Sequence, residues 1–272
     1  MHNRARVDEL LRAHGLAPRR DLGQNFVTDA NTVRRIARLA GVGPGDRIVE
    51  IGAGVGSLTL ALVECGASVT AVELDHGLIP VLHDVLDGTD VRIVEGDALR
   101  LDWPTVLGDA GGWVLVANLP YNVATPLVAD LLDGVSQIAR MLVMVQREVG
   151  ERLCAPARTP AYGAVSVKVA YWARARVVGL VPASVFVPRP NVESALVEIV
   201  RRDVPATDAP PAEMFRLVRT AFGQRRKMLR RSLADVVASA TFDAAGIDPP
   251  RRPEELDVME WGRLTNAHLA AP

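Results

Sequence analysis

The 272-residue chain has little lysine, little cysteine and few aromatic rings. Lys168 and Lys227 are the only lysines among 31 basic residues, so its positive charge is carried almost wholly by arginine. The two cysteines, Cys65 and Cys154, are far apart and match no metal-ligand spacing. That excludes a disulfide framework and a cysteine-based metal site, and it points to a reducing, cytoplasmic setting. No apolar run approaches the ~20 residues needed to cross a bilayer, so no membrane partner is expected. The opening stretch MHNRARVDEL is charged from the start and has no apolar signal core. Net charge is also lacking: 31 Lys+Arg face 32 Asp+Glu, for a formal charge of −1. Taken whole, that balance argues against a chain held on nucleic acid by bulk electrostatics. The average conceals a pattern. Residues 1–40 carry a net +4, residues 41–140 a net −10, residues 141–200 a net +3 and residues 201–272 a net +2. An acidic middle lies between basic flanks.

What the chain has in quantity is apolar residues, 49% of the total, enough for a sizeable core and too many for global disorder. Over the first 200 residues, short β-branched runs alternate with helical patterns. Strands are expected at 47–51, 68–73, 91–95, 113–117 and 141–146, with helices at 57–64, 78–86 and 126–132. Strands separated by helices of this length imply right-handed crossovers and a mostly parallel sheet. Near 174–200 the rhythm changes. Two strand-like runs, 174–181 and 192–200, flank the proline-rich 182–190 and are expected to pair antiparallel at one sheet edge. The stretch DVPATDAPP at 203–211 reads as a linker. Beyond it, helices are expected at 212–222, 225–238 and 259–270. The fold class is therefore α/β, with residues 1–202 forming a Rossmann-like domain and 203–272 a small all-helical domain.

After the first expected strand comes Glu50-Ile51-Gly52-Ala53-Gly54-Val55-Gly56. Glycines here permit a tight turn and close backbone approach to a ligand beside a helix N-terminus. A dinucleotide fingerprint needs G-x-G-x-x-G, and here the third glycine comes one residue early. The pattern resembles instead the first motif of S-adenosylmethionine-dependent methyltransferases. Glu73 ends the second strand, where a carboxylate can accept from both hydroxyls of a ribose. Asp97 follows the third strand, where a carboxylate can accept from an adenine amino group. Either acid alone could be a solvated loop residue. Three such features at three successive strand ends, the edge where open α/β sheets bind ligands, favour a cofactor site.

After the fourth strand stands Asn118-Leu119-Pro120-Tyr121. It resembles the signature of methyltransferases that act on exocyclic amino nitrogens of nucleobases. The lone pair of an adenine N6 is delocalised into the ring, and the nitrogen is a poor nucleophile. The Asn118 side-chain oxygen and the Leu119 carbonyl can both accept from the amino hydrogens, drawing the nitrogen toward tetrahedral geometry. Pro120 fixes the turn and Tyr121 offers a face on which a base can stack. Positioning and electrostatics would supply the catalysis. Phe186, in Ser184-Val185-Phe186-Val187-Pro188-Arg189-Pro190-Asn191-Val192, is either a second ring covering an extruded base or an ordinary core phenylalanine.

Together, Gly23-Gln24-Asn25-Phe26, Glu50 to Gly56, Glu73, Asp97, Asn118 to Tyr121, Phe186 to Val192 and Phe222-Gly223-Gln224-Arg225-Arg226-Lys227 resemble the ribosomal RNA adenine N6-dimethyltransferase family over nearly the whole chain. The likeness is greatest to its small-subunit branch, the one linked to kasugamycin sensitivity. The resemblance implies cofactor contacts at Asn25, Val27, Gly52, Glu73, Asp97 and Asn118, with Gly54 in the same loop. It implies S-adenosyl-L-methionine as cofactor and no metal. It also implies dimethylation of two adjacent adenosines in the 3′-terminal hairpin of 16S rRNA, in a monomeric enzyme acting on a partly assembled (pre-30S) small subunit. The macrolide-resistance dimethyltransferases of large-subunit rRNA share these motifs. They commonly have isoleucine where Leu119 stands, and the family often has leucine where Val27 stands. A non-catalytic nucleic-acid-binding relative is the third reading, against which the intact Glu73, Asp97 and Asn118-to-Tyr121 set argues.

The basic flanks offer Arg19, Arg20, Arg225, Arg226, Lys227 and Arg230 to RNA phosphates. On a continuous helix Arg226, Arg230 and Leu233 would share one stripe, with Met228, Leu229 and Leu233 on the packing face. The alternative is a solvated helix face with no ligand.

Overall fold

The computed structural model describes residues 1–271. Nine strands run in chain order: β1 (Phe26–Val27), β2 (Arg47–Ile51), β3 (Ser68–Glu73), β4 (Arg92–Glu95), β5 (Trp113–Asn118), β6 (Ile138–Gln146), β7 (Ala173–Val181), β8 (Phe186–Val187) and β9 (Ser194–Arg201). Twelve α-helices accompany them among the described residues: α1 (Arg4–Ala13), α2 (Ala30–Ala40), α3 (Ser57–Glu64), α4 (Leu78–Val85), α5 (Trp103–Leu107), α6 (Ala124–Gly134), α7 (Arg147–Cys154), α8 (Ala164–Trp172), α9 (Pro211–Gly223), α10 (Leu229–Ser232), α11 (Ser239–Ala245) and α12 (Val258–Leu269).

Seven strands form one sheet in the order β4-β3-β2-β5-β6-β9-β7. β2 pairs parallel with both β3 and β5, β3 with β4, and β5 with β6, while β9 runs antiparallel to β6. The central strands are near-continuous apolar runs, as a sheet covered on both faces requires. On one face, Val33, Ile36 and Ala37 of α2 and Leu58 and Leu62 of α3 pack on Ile48, Val69, Val114 and Val116. The progression β2 to β4 runs one way across the sheet, and β5 to β6 runs the other. Right-handed crossovers then place α6 on the face opposite α3 and α4. The C-terminal end of α6 is closed by Arg201 of β9, whose guanidinium donates to the carbonyls of Leu131, Leu132 and Val135. α2 starts at Asp29, whose carboxylate accepts from the Thr32 amide, and ends at Gly41 in the left-handed conformation.

A separate two-stranded ribbon pairs β1 with β8, Phe26 facing Val187 and Val27 facing Phe186. Two-residue strands carry too little periodicity to be read in sequence. Their pairing is what joins the Gln24-Asn25-Phe26 segment to the proline-rich 182–190 connection.

The chain divides into two compact units, Met1–Gly150 with Arg176–Arg201, and Glu151–Ala175 with the chain from Arg202 onward. The single boundary expected at 202/203 is therefore corrected: residues 151–175 belong to the helical unit. The reason is where their aromatic rings are buried. The Tyr162 hydroxyl donates to the Leu256 carbonyl and the Tyr171 hydroxyl to the Ala209 carbonyl. Both rings lie in the core built around Phe215, Phe242 and Trp261. The expected continuous helix at 225–238 is also corrected. The chain turns at 224–227, and α10 spans only four residues. Here the Leu229 and Arg230 amides donate to the carbonyls of Arg251 and Pro249, which anchors the segment to a neighbouring loop. Leu229 and Leu233 are buried as expected, whereas Met228 is exposed.

Leu115, at the centre of β5, is 0% exposed. Leu115→Ala is expected to lower the unfolding free energy by about 2–5 kcal/mol, read as a shifted urea midpoint.

Candidate active site at the strand ends

Strand order reverses between β2 and β5, and the C-terminal ends of β2, β3 and β5 open on one cleft there, where open α/β sheets take ligands. The cleft is lined by Gly52, Gly54, Glu73, Asp97, Asn118 and Tyr121 from the predicted set, together with the 22–26 segment.

The glycine turn is held by the neighbouring strand. Gly52 and Ala53 donate their amides to the Val72 carbonyl. The Gly54 amide donates to Glu73 Oε2 at 2.8 Å, and the Asp75 amide to Glu73 Oε1 at 2.9 Å. One carboxylate thus ties the loop after β2 to the turn after β3. Gly54 has φ +61°, and a Cβ there would lie 3.2 Å from the Phe26 ring. Its hydrogen is what lets Phe26 close over the turn. A Cβ on Gly23, at φ +65°, would likewise lie 3.2 Å from Pro120 and Asn122.

Asn118 ends β5, and its side-chain Nδ2 donates to the Asn25 carbonyl at 2.9 Å. A carbonyl can only accept, so this bond fixes the amide orientation and leaves Oδ1 available to a ligand. The Leu119 amide donates to Met144, the Pro120 carbonyl accepts from Val123 and Ala124, and α6 begins. Tyr121 is half-buried, with its hydroxyl 2.9 Å from Ser194 Oγ of β9. That contact holds the ring at the cleft wall, and burial raises the phenol above its ordinary pKa. Asp97 Oδ1 accepts from the Leu99 amide, and Arg100 lies 3.7 Å from Oδ2.

Negative charge is concentrated here. Glu50, Glu73 and Asp75 are all buried. Burial pushes the Glu73 carboxyl above the usual carboxylate range, against the two amide bonds that favour its charge. Glu50, 1% exposed, is pushed up to about 8, chiefly by burial and with a contribution from the Glu73 charge. Glu50 is therefore largely protonated near neutral pH, and it is Glu73 and Asp75 whose charge favours a cationic ligand at this sheet edge.

Two expected site residues lie elsewhere. Phe186 is 2% exposed and packs in the core with Val27, Val33, Ile36 and Met144, so its ring does not line the cleft. The pairing of β1 with β8 turns this side chain inward, and the reading of it as a stacking surface is corrected to that of a core residue. Val27, buried beside it, lines a smaller adjoining cavity with Glu50, Gly52 and Asn118. Of the arginines expected at phosphates, Arg19 is paired with Asp21 at 2.6 Å, and Arg225 with Glu254 at 3.2 Å. Arg20, Arg226, Lys227 and Arg230 are exposed. Sequence reasoning passed over Phe26, Leu74 and Leu99 as cleft residues. The signal for Leu74 was available in the sequence, as an apolar residue directly after Glu73 at a strand end, and the structure leaves it half exposed at the cleft.

The sheet order, glycine turn and amide-presenting Asn118 define an α/β protein of the Rossmann-like methyltransferase class. A family model described as "Ribosomal RNA adenine dimethylase" matches residues 15–268. "Ribosomal RNA small subunit methyltransferase A" of Bifidobacterium longum is 43% identical over 93% of this chain and 89% of its own. The protein of that name from Cutibacterium acnes is 45% identical over 97% of this chain and 93% of its own. The crystal structure of a dimethyladenosine transferase from Plasmodium falciparum superposes with TM-score 0.74 at 22% identity, covering 87% of this chain and 94% of that one. That of the 23S rRNA methyltransferase ErmE has TM-score 0.67 at 24% identity, covering 89% and 98%. The chain belongs to the ribosomal RNA adenine dimethylase family.

Glu50 gives the site a pH signature. A folded-state pKa near 8, against an ordinary 4.5, means its stabilising contribution is complete below about pH 4.5 and is lost as pH rises through 8. Glu50→Gln is expected to remove this loss. Between pH 5 and 8, wild-type stability should fall relative to the variant by up to about 1.4 kcal/mol per pH unit, checked by urea unfolding at several pH values.

Proposed function

We propose that the chain is a cytoplasmic S-adenosyl-L-methionine-dependent enzyme that dimethylates N6 of two adjacent adenosines in the 3′-terminal hairpin of 16S rRNA, acting on a partly assembled small subunit. The observation that carries the reading is the fixed amide of Asn118, with Oδ1 free at the cleft beside the Leu119-Pro120-Tyr121 turn. The residues around the cleft fit the cofactor. Glu73 stands at a strand end for ribose hydroxyls, Asp97 for an adenine amino group, and Leu74 and Leu99 flank the cleft as apolar surfaces. When bound, S-adenosylmethionine supplies an electrophilic methyl group on a cationic sulfur, a charge that the Glu73 and Asp75 carboxylates favour.

The protein's part is positioning. Asn118 Oδ1 and the Leu119 carbonyl accept from the two amino hydrogens of the target adenine and draw its lone pair out of ring conjugation. Tyr121 supports the base plane. The nitrogen becomes cationic once it has gained the methyl group and then sheds a proton to solvent, so no strong protein base is needed. With Phe186 in the core, Tyr121 is the aromatic platform of this reading.

The small-subunit target is favoured by relatives of that name at 43–45% identity over more than nine-tenths of this chain. The fold does not discriminate, because ErmE, a 23S rRNA methyltransferase, shares it. The test is incubation with labelled S-adenosylmethionine and undermethylated small subunits, large subunits or bare DNA. Label is expected in small-subunit rRNA. Label only in large subunits or DNA would overturn the target, and no label anywhere would favour a non-catalytic binding protein. Asn118→Ala is expected to abolish transfer while leaving small-subunit binding largely intact; an active variant refutes its role. Arg226→Glu with Arg230→Glu is expected to weaken particle binding and reduce the log–log salt slope by about two, measured by filter binding across salt concentrations.

A further inference from the structure

The wall of the cleft formed by residues 22–26 includes a loop, and its attachment to the sheet rests on few side-chain bonds. Gln24 Nε2 donates to Asp75 Oδ2 at 2.6 Å. Arg19 Nη1 lies 3.7 Å from Asp75 Oδ1. Asn118 Nδ2 reaches the Asn25 carbonyl. The loop itself is a closed unit. The Arg19 amide donates to Gln24 Oε1 at 2.8 Å, and the Gln24 amide donates back to the Arg19 carbonyl at 3.1 Å. The Gln24 amide orientation is thereby fixed at both ends, since a flip would set its NH2 against an N–H donor and its oxygen against a carboxylate.

Asp75 is 8% exposed and each side of it has a task. Its amide donates to Glu73 Oε1, its Oδ1 accepts from the Gly77 amide at 3.1 Å, and its Oδ2 takes Gln24. The residue that holds the loop is thus the residue that holds one oxygen of Glu73, whose other oxygen holds Gly54. We propose that Gln24 and Asp75 form a latch that closes the Arg19–Asn25 loop over the cofactor cleft. Asp75 is then a positioning residue for cofactor capture, coupling that loop to the Glu73 carboxylate. The proposal rests on the reading of the cleft as an S-adenosylmethionine site. A second consequence concerns the arm: both Arg19 and Arg20 are exposed, but Arg19 is paired with Asp21 and Asp75 in the latch, whereas Arg20 makes no ion pair among the described residues.

The test uses the full-length protein and titration calorimetry with S-adenosylhomocysteine, followed by steady-state kinetics. Gln24→Ala removes the latch and leaves the Asp75–Gly77 bond in place. It is expected to weaken ligand binding by about tenfold or more, as loss of a hydrogen bond to a charged group would. KM for S-adenosylmethionine should rise with it, kcat should fall far less, and the melting temperature should hold. Gln24→Glu sets two carboxylates against each other and is expected to be worse than Gln24→Ala. Combining it with Asp75→Asn reverses the hydrogen bond, an Asn amide donating to a Glu oxygen, and is expected to recover binding to within about threefold of wild type. Wild-type protein that binds no S-adenosyl ligand would remove the cofactor reading and the latch with it. Wild-type binding with Gln24→Ala within twofold of it, or no recovery in the reversed pair, overturns the latch alone.

Discussion

The carboxylate of Glu73 is the constraint on which the cleft depends. It sits at the end of a buried strand, takes the Gly54 amide on one oxygen and the Asp75 amide on the other, and so binds two strand ends into one rigid edge. Burial penalises its charge and the two amides offset part of that penalty. A ligand offering further donors, or positive charge, would relieve more of it. The acidic stretch of the sequence therefore has a local meaning: three of its acidic side chains crowd one sheet end, where burial holds Glu50 largely neutral and the charge of Glu73 and Asp75 favours a cation.

From that edge the rest of the site is assembled by side-chain hydrogen bonds between distant segments. Asn118 reaches back 93 residues to the Asn25 carbonyl, and Tyr121 reaches forward 73 residues to Ser194. Each contact fixes the orientation of a group whose chemistry depends on direction: an amide whose oxygen is left open at the cleft, and a ring held at the cleft wall. These contacts draw on the preorganisation of a folded sheet, which is the means by which the proposed reaction would be accelerated without a strong base. The basic residues Arg226, Lys227 and Arg230 of the helical unit are exposed, and the role proposed for them is one of charge rather than of fixed geometry.

Much of the fold was legible in the sequence because its signals were local. The strands at 47–51 and 68–73 and the helix at 57–64 announce themselves through apolar runs and glycine punctuation, and they appear at those bounds. The parallel order followed from the alternation of strand and helix. Where the outcome differed, the cause was a long-range contact. Residues 151–175 joined the helical unit because Tyr162 and Tyr171 bury their rings there and find carbonyls at Leu256 and Ala209. The helix expected at 225–238 was interrupted because its backbone donates to residues 249 and 251. Phe186 turned inward because a two-residue ribbon, too short to carry a pattern, fixes its register opposite Val27.

The amino-acid sequence by itself determined the chemistry of this protein: a glycine turn, two carboxylates at successive strand ends, and an Asn-Leu-Pro-Tyr turn, each a short motif whose function follows from its residue types. The tertiary structure decided which atoms of those residues remain available. It directed the Asn118 amide nitrogen to Asn25 and freed the oxygen, placed Phe186 in the core and Phe26 at the cleft, and paired the exposed Arg19 with acids while giving the exposed Arg20 no acidic partner among the described residues. The physical reason is that a hydrogen bond or a packing contact is settled by what folding brings within about 3–4 Å. Sequence spacing places a residue on an element, and only the folded neighbours decide which way it faces.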